Sequence, residues 1–386
     1  MLNWILQQIG ITTKTHFAKG LNIIFSEDKP NFNKSAFLTQ GVFIRLKDNQ
    51  WLMGWGEFHW SQEASSTEPS FFVSDFYLEK EKKWLSTEYY IIISDLLELK
   101  KLFKKEAVKT VEFLNTQFDG YEKQFQNIFL DFKNKNLKKA VPVSFESSCD
   151  QLSTQHIENI IYEFIGKPSY FYPYGFWQEG KGVIGLSPEI LAQIIICDES
   201  YELHTMALAG TAPIDNPKGS LLESQKDMNE HNYVIKEIDR VLSQFGEVEL
   251  GQTEEVNLQK LKHLRTDISL LGSLSGVEPV KFLNTIIETL HPTPALGGYP
   301  KKEATKWLDE NRVEQRSFFG APFGVYYKSE FFALVAIRNI LWDKKSSYIF
   351  SGGGVVKESL IEDEWSEILL KRKATKTHLG ICNEVN

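Results

Sequence analysis

Alternating apolar and polar positions predict a β-rich beginning. Gly41 to Leu46 and Trp51 to Gly56 read as a hairpin turning through Lys47-Asp48-Asn49-Gln50, and Tyr89 to Ile93 as a further strand. A longer period then takes over. Leu97 to Lys135, rich in Lys, Glu, Phe and Leu, predicts a long helical region interrupted at Gly120. Residues 155–166 predict another helix, and Tyr170 to Glu179 and Gly182 to Leu186 predict strands. Leu191 to Cys197 predicts a strand pairing with Tyr201 to Ala209 across Asp198-Glu199-Ser200. Consecutive hairpins without regular βαβ units predict a mostly antiparallel α+β architecture.

Near the end, Tyr348-Ile349-Phe350 reads as a strand running into Ser351-Gly352-Gly353-Gly354. Glycines there bring bare backbone close to whatever lies beside it. Ile361 to Lys373 then predicts a helix. At about 100° per residue, Glu364, Glu367 and Lys371 fall within about 60° of one another, beside the stripe Ile361, Trp365, Ile368. Two carboxylates and an ammonium at the edge of a core suit a divalent cation and an anionic ligand; a solvated face with a Glu367–Lys371 ion pair is the plainer alternative.

Composition narrows the class. The chain has 386 residues, enough for one large or two ordinary domains, with 42% hydrophobic and 13% aromatic residues. A net charge of −8 argues against a general nucleic-acid binder. Cys149, Cys197 and Cys382 form no disulfide or zinc spacing, which points to a reducing compartment. Met1-Leu2-Asn3-Trp4 lacks the basic start of a signal peptide. The best apolar run, Val183 to Cys197, is broken by Glu189 and Gln193, short of the roughly 18 residues that span a bilayer. The expectation is a soluble, cytoplasmic protein with no membrane partner. Walker, dinucleotide, HExxH and GxSxG signatures are absent.

Lys226 to Ile235 begins a helix reaching towards Phe245, with Val234, Ile238 and Val241 as its apolar stripe. Glu230 lies one turn earlier on that face, so it needs a cation or a donor if the stripe is buried. With Glu364 and Glu367 it makes an oxygen-rich set of the kind magnesium accepts. Leu290 to Pro300 is a stiff loop, its prolines fixing the backbone and Gly297-Gly298 permitting close approach. Arg338 interrupts the apolar strand pattern Leu334 to Ile337, which suggests that its guanidinium meets a carboxylate.

Nine motifs occur in order: Gly185 to Glu189, Ala209-Gly210-Thr211, Lys226-Asp227 with Glu230-His231, His263-Leu264, the His291 loop, Arg316 with Phe319-Gly320, Ala336-Ile337-Arg338, Ser351 to Val356, and Glu364 to Lys371. This order, over roughly residues 137–380, resembles the chorismate-utilising enzymes. The resemblance implies two antiparallel sheets packed face to face with helices outside, a catalytic part at 126–386 and a β-rich part at 1–125 packed on the same fold. It implies Mg2+ held by Glu230 and Glu367, with Glu364 acting through water. Chorismate would touch Ala209, Gly210, Thr211, His291, Ala295, Phe319, Arg338, Gly352, Gly354 and Lys371.

The members of this family differ in nucleophile. Aminodeoxychorismate synthases commonly carry a lysine where this chain has Ala209. Anthranilate synthases carry a glutamine where isochorismate and salicylate synthases carry a water-activating lysine. The matching residue here is Lys139 or its neighbour Lys138, in Lys139-Ala140-Val141-Pro142-Val143-Ser144, where relatives read like Lys-Val-Val-Leu-Ser-Arg. A lysine serves as a base when burial or nearby positive charge draws its pKa towards neutrality. Glu189 matches the acid that protonates the departing C4 hydroxyl, among Ile184, Leu186, Ile190 and Leu191. The resemblance therefore implies reversible conversion of chorismate to isochorismate. Salicylate synthase, anthranilate synthase component I and a non-catalytic chorismate binder stay open, and no glutamine amidotransferase partner is expected.

Overall fold

The structure is a computed structural model that describes residues 24–25 (backbone only), 31–114, 117–215, 219–259 and 261–381. The Met1 to Trp4 stretch and Cys382 lie outside these residues. Among the described residues every strand pairing is antiparallel. Seventeen strands of the described residues form one hydrogen-bonded network, and a further three form a small sheet. The α+β class is as expected, with the strands joined into a continuous network.

Strands from both ends of the chain interleave. Gly41–Arg45 pairs with Tyr172–Gln178, and Ser70–Val73 pairs with Pro322–Tyr327. The hairpin Gly41–Arg45 with Trp51–Ser61 forms as read, its second strand running five residues further. The hairpin Ile190–Cys197 with Ser200–Pro213 forms as well. One buried cluster, including Val42, Leu52, Tyr174, Val183, Met206, Phe323 and Leu334, is lined by strands from across the network.

The long helical region predicted at 97–135 is two helices, Leu96–Leu102 and Phe118–Asn134. Gly120 sits in the first turn of the second, so it is not the break. The break follows Phe103, where the backbone is claimed by another helix, Thr154–Phe164. The Lys104 N–H donates to Glu158, the Glu106 N–H donates to Asn159 Oδ1, and His156 Nε2 bonds the Lys109 carbonyl. Side-chain partners of this kind compete with the helical ladder.

Two helices carry the carboxylates. Gln225–Leu242 starts at Ser224, whose side chain accepts from the Asp227 N–H, and buries Glu230, Val234, Ile238 and Val241 on one face. Ile361–Leu379 runs six residues beyond its predicted end, to a left-handed Gly380 with φ 65°. Within it Arg372 is buried, its guanidinium 5.5 Å over the Trp365 ring.

Candidate active site

A cavity of about 680 Å3, its mouth included, opens between these elements. Its lining holds Glu189, Ala209, Gly210, Thr211, Glu230, Ala295, Phe319, Arg338, Gly352, Gly354 and Lys371. Most of the residues singled out in the sequence thus come together around one space.

Local backbone geometry explains how. Ser200–Pro213 pairs with Leu261–Ser273, but the register shifts between Ala209 and Thr211, and Gly210 has φ 76°. This bulge re-aims the strand at the cavity. It also sets Gly210 O 3.2 Å and Thr211 Oγ1 3.1 Å from His263 Nδ1. Glu189 lies between the strands Lys181–Ser187 and Ile190–Cys197. Its N–H donates to Ser187 Oγ at 3.2 Å, and the Ser187 hydroxyl donates to Val335 O at 2.7 Å.

Glu189 is buried, and burial raises its carboxyl to about 7; the nearby charges of Lys139 and Lys371 pull the other way. A carboxyl there keeps its proton close to neutral pH. Lys139 belongs to the two-residue strand Lys139–Ala140, which pairs with Gly298–Tyr299 on one side and Val355–Val356 on the other. Alternation along the chain turns Lys138 to solvent and buries Lys139 completely. Lys139 Nζ stands 3.0 Å from Glu230 Oε1 as an ion pair without hydrogen-bond geometry. Gly354 lies against both: a Cβ there would run into Glu230 Oε1 and come 2.6 Å from Lys139 Cε.

Each of the three carboxylates is held by a lysine. Glu364 Oε1 lies 2.7 Å from Lys226 Nζ and accepts from Ser359 Oγ at 2.7 Å. Glu367 pairs with Lys371 at 2.5 Å. That i,i+4 pair is the one the sequence offers as a solvated face, yet its two side chains are only 17% and 15% exposed. Burial is the largest cause that sets Glu364 at about 7, with Lys226 opposing it and the charges of Glu367 and Glu230 adding to it. For Glu367, burial favours the proton, but Lys371 and Lys226 win and hold the carboxyl below its ordinary value. Burial works against the Lys226 ammonium, and the three carboxylates still hold it above its usual range.

Among the described residues no three Asp, Glu, His or Cys side chains stand ready-made around one point. The expected magnesium set Glu230, Glu364 and Glu367 is therefore a neighbourhood of buried, mutually repelling carboxylates. The donors fit a hard divalent cation in kind. Glu364 Oε2 is buried with no hydrogen-bond partner, and the carboxylates share charge that a cation would neutralise.

Lys139, Glu364 and Glu367 stand outside the cavity lining, and two further expectations change. Arg338 is not part of a strand; it lies at φ 54° between Glu330–Val335 and Asn339–Trp342. The left-handed residue breaks the ladder and leaves the guanidinium buried at the cavity, where Nη1 donates to Lys371 O at 3.3 Å. Burial lowers its pKa to about 10, and Glu367 acts against that shift. His291 does not line the cavity. Its Nε2 lies 2.6 Å from Phe76 O and its ring packs edge-on to Phe76, so the histidine holds the loop in place.

The structure gives places to three more residues, Lys226 and His263 from the quoted motifs and Thr375 from outside them. Lys226 lies four positions before Glu230 on the same helical face, a spacing visible in the sequence. Thr375 lines the cavity one turn after Lys371, and its hydroxyl donates to Lys371 O. His263 lines it too, its Nε2 buried and without a partner. Burial and the Arg338 and Lys371 charges depress its pKa to about 3. The pairing register that turns its ring inward is not visible in sequence.

An antiparallel α+β fold whose cavity combines buried carboxylates with an arginine and a lysine defines a class of enzyme-like sites for a small, multiply anionic ligand. The chain belongs to the family described as chorismate binding enzyme, whose profile matches residues 65–380, beginning well upstream of the first quoted motif. It is similar to the "Salicylate biosynthesis isochorismate synthase" of Pseudomonas aeruginosa, 33% identical over 208 residues, covering 51% of this chain and 42% of that protein. It is similar to the "Isochorismate synthase MenF" of Bacillus subtilis, 28% identical over 292 residues, covering 72% of this chain and 56% of that protein. The chain thus matches about half the length of these relatives. A solved structure titled as a putative 2,3-dihydroxybenzoate-specific isochorismate synthase, DhbC, from Bacillus anthracis shares the fold, with a TM-score of 0.71 and 21% identity over 89% of this chain and 97% of that one. Among the described residues no helix is long and apolar enough to cross a membrane.

Proposed function

We propose that the protein interconverts chorismate and isochorismate in a Mg2+-dependent hydroxyl transposition. The observation that carries the reading is a pair of groups: Glu189, buried with its carboxyl raised to about 7, and Lys139, fully buried beside Glu230. The names of the relatives agree with it. So does Ala209, where a family member that attaches nitrogen through an enzyme lysine would carry that lysine.

Arg338 and Lys371 bind the carboxylates of the substrate, with Gly352 and Gly354 allowing close approach. Lys139 takes a proton from water as its oxygen bonds to C2. The ring double bonds shift, the C4–O bond breaks, and the hydroxyl leaves as water with the proton of Glu189. Water enters, water leaves, and the product is an isomer of the substrate. Glu230 and Glu367 would hold the magnesium directly and Glu364 through water. When bound, the ion neutralises the ring carboxylate and orients the substrate.

Purified protein is incubated with chorismate and Mg2+, without and with ammonia, and the products are resolved by NMR. The expected result is isochorismate in equilibrium with chorismate, lost on adding EDTA. Salicylate plus pyruvate, ammonia-dependent anthranilate, or binding without turnover would each replace this reading with another member of the family.

A further inference from the structure

Tyr121 is fully buried, and its hydroxyl has no hydrogen-bond partner. An unpaired buried hydroxyl is costly, so a phenylalanine would serve better if packing were the whole purpose. The residue sits in the helix Phe118–Asn134, outside every motif quoted above. Its ring packs against Trp365 with centroids 5.4 Å apart, between Glu364 and Glu367 in sequence. Burial raises the phenol well above its ordinary pKa, and the charges of Glu364, Glu367 and Glu230 add to that. A phenol hydroxyl has one proton to donate.

The second observation concerns Glu364. Its Oε1 is committed to Lys226 and Ser359, whereas Oε2 is buried without a partner. Both unpartnered atoms face Gly353. A Cβ on that glycine would lie 3.0 Å from Glu364 Oε2 and 3.8 Å from Tyr121 Oη, with nothing else beyond its chain neighbours within 4 Å. A buried donor and a buried acceptor, both unpartnered beside the same glycine, are a pair that one small polar guest can bridge.

We propose that Tyr121 is a positioning residue of the carboxylate cluster: its hydroxyl and Glu364 Oε2 share one water molecule beside Gly353, and this orients the free oxygen of Glu364 towards a divalent cation. The inference rests on the reading of Glu364 as a cation-holding residue. It gives a function to a helix that precedes the motif-bearing part of the chain, and it explains why the middle glycine of the run has no side chain.

Isothermal titration of the full chain with MgCl2 tests it, beside the melting temperature without Mg2+. Removing a group behind a metal ligand typically weakens binding about 10- to 100-fold. Tyr121→Phe keeps the ring on Trp365, so Mg2+ affinity should fall about tenfold while the melting temperature stays level or rises. Gly353→Ala should weaken Mg2+ similarly, because its Cβ would crowd Glu364 Oε2 at 3.0 Å. The double variant should lose no more than either single one, because both act on the free oxygen of Glu364. Wild-type affinity in Tyr121→Phe, losses that multiply in the double variant, or a lowered melting temperature accompanying the weaker binding would overturn the inference. Failure of the wild-type chain to bind Mg2+ would instead remove the cation reading of Glu364, and this inference with it.

Discussion

Lys139 Nζ and Glu230 Oε1 lie 3.0 Å apart, with the two side chains 0% and 9% exposed. A buried pair of this kind is stable only while both partners remain. A lysine takes a proton from water only as the neutral amine, a form that a neighbouring carboxylate disfavours. The residue proposed as base and a residue proposed to hold the cation are thus a single electrostatic unit.

Lys139→Ala should reduce turnover by about 10²- to 10⁴-fold, the usual contribution of a positioned base, while chorismate binding measured by calorimetry stays within a few-fold. It also leaves Glu230 as an unpaired buried charge, at a cost of roughly 3–5 kcal/mol in denaturant unfolding. Adding Glu230→Gln should recover much of that stability and none of the turnover. Wild-type turnover in the single variant would remove Lys139 from the chemistry.

Burial raises the Glu189 carboxyl to about 7 in the fold, above its ordinary value of 4.5. The folded pKa is the higher one, so its contribution to stability is full below pH 4.5 and is lost as pH rises through 7. Glu189→Gln should therefore flatten part of the fall in stability between those values, Glu364 supplying a slope of the same sign. Wild-type turnover should decline above about pH 7 as the acid loses its proton, and the variant should lose about 10²- to 10⁴-fold at every pH. An unchanged unfolding profile would show that the carboxyl is not held protonated.

Glu364, also raised to about 7, must lose its proton before it can serve a cation. Mg2+ affinity should weaken as pH falls below 7, by up to about tenfold per unit. Titrations at several pH values in wild type and in Glu364→Gln check this. The variant should bind weakly, with a flatter dependence on pH.

Arg338→Ala should raise KM for chorismate by roughly 10- to 100-fold, matching about 1.5–3 kcal/mol for a hydrogen bond to a charged group. Arg338→Lys should recover little, because an ammonium lacks the planar fork that meets a carboxylate. Steady-state kinetics decide it; a KM restored by lysine would reduce the contact to simple charge.

Gly354→Ala should abolish turnover, because its Cβ would collide with Glu230 and crowd Lys139. Circular dichroism and product analysis together distinguish this local collision from failure to fold.

Much of the class was legible in the residues. The hairpin at Gly41, the strand pair across Asp198-Glu199-Ser200 and the helix bearing Glu230 carry their own period, and local propensity agrees with the final fold in each. The carboxylate helix was legible for the same reason, since Glu364 and Glu367 flank a periodic apolar stripe. The helix predicted through Phe103 failed because the side chains of Glu158 and Asn159, about fifty positions away, satisfy its backbone.

What the sequence alone determined is therefore the antiparallel α+β class, the positions of the acidic and basic groups, and the order of motifs that marks the family. Only the tertiary structure decided that Lys139 faces inward while Lys138 faces solvent, that Arg338 sits at a left-handed turn, that His291 serves Phe76, and that Tyr121 is buried within reach of the carboxylates' charge. The physical reason is range. Period and turn chemistry act over a few residues, whereas burial and charge pairing depend on groups such as Lys139 and Glu230, which strand register brings together from far apart in the chain.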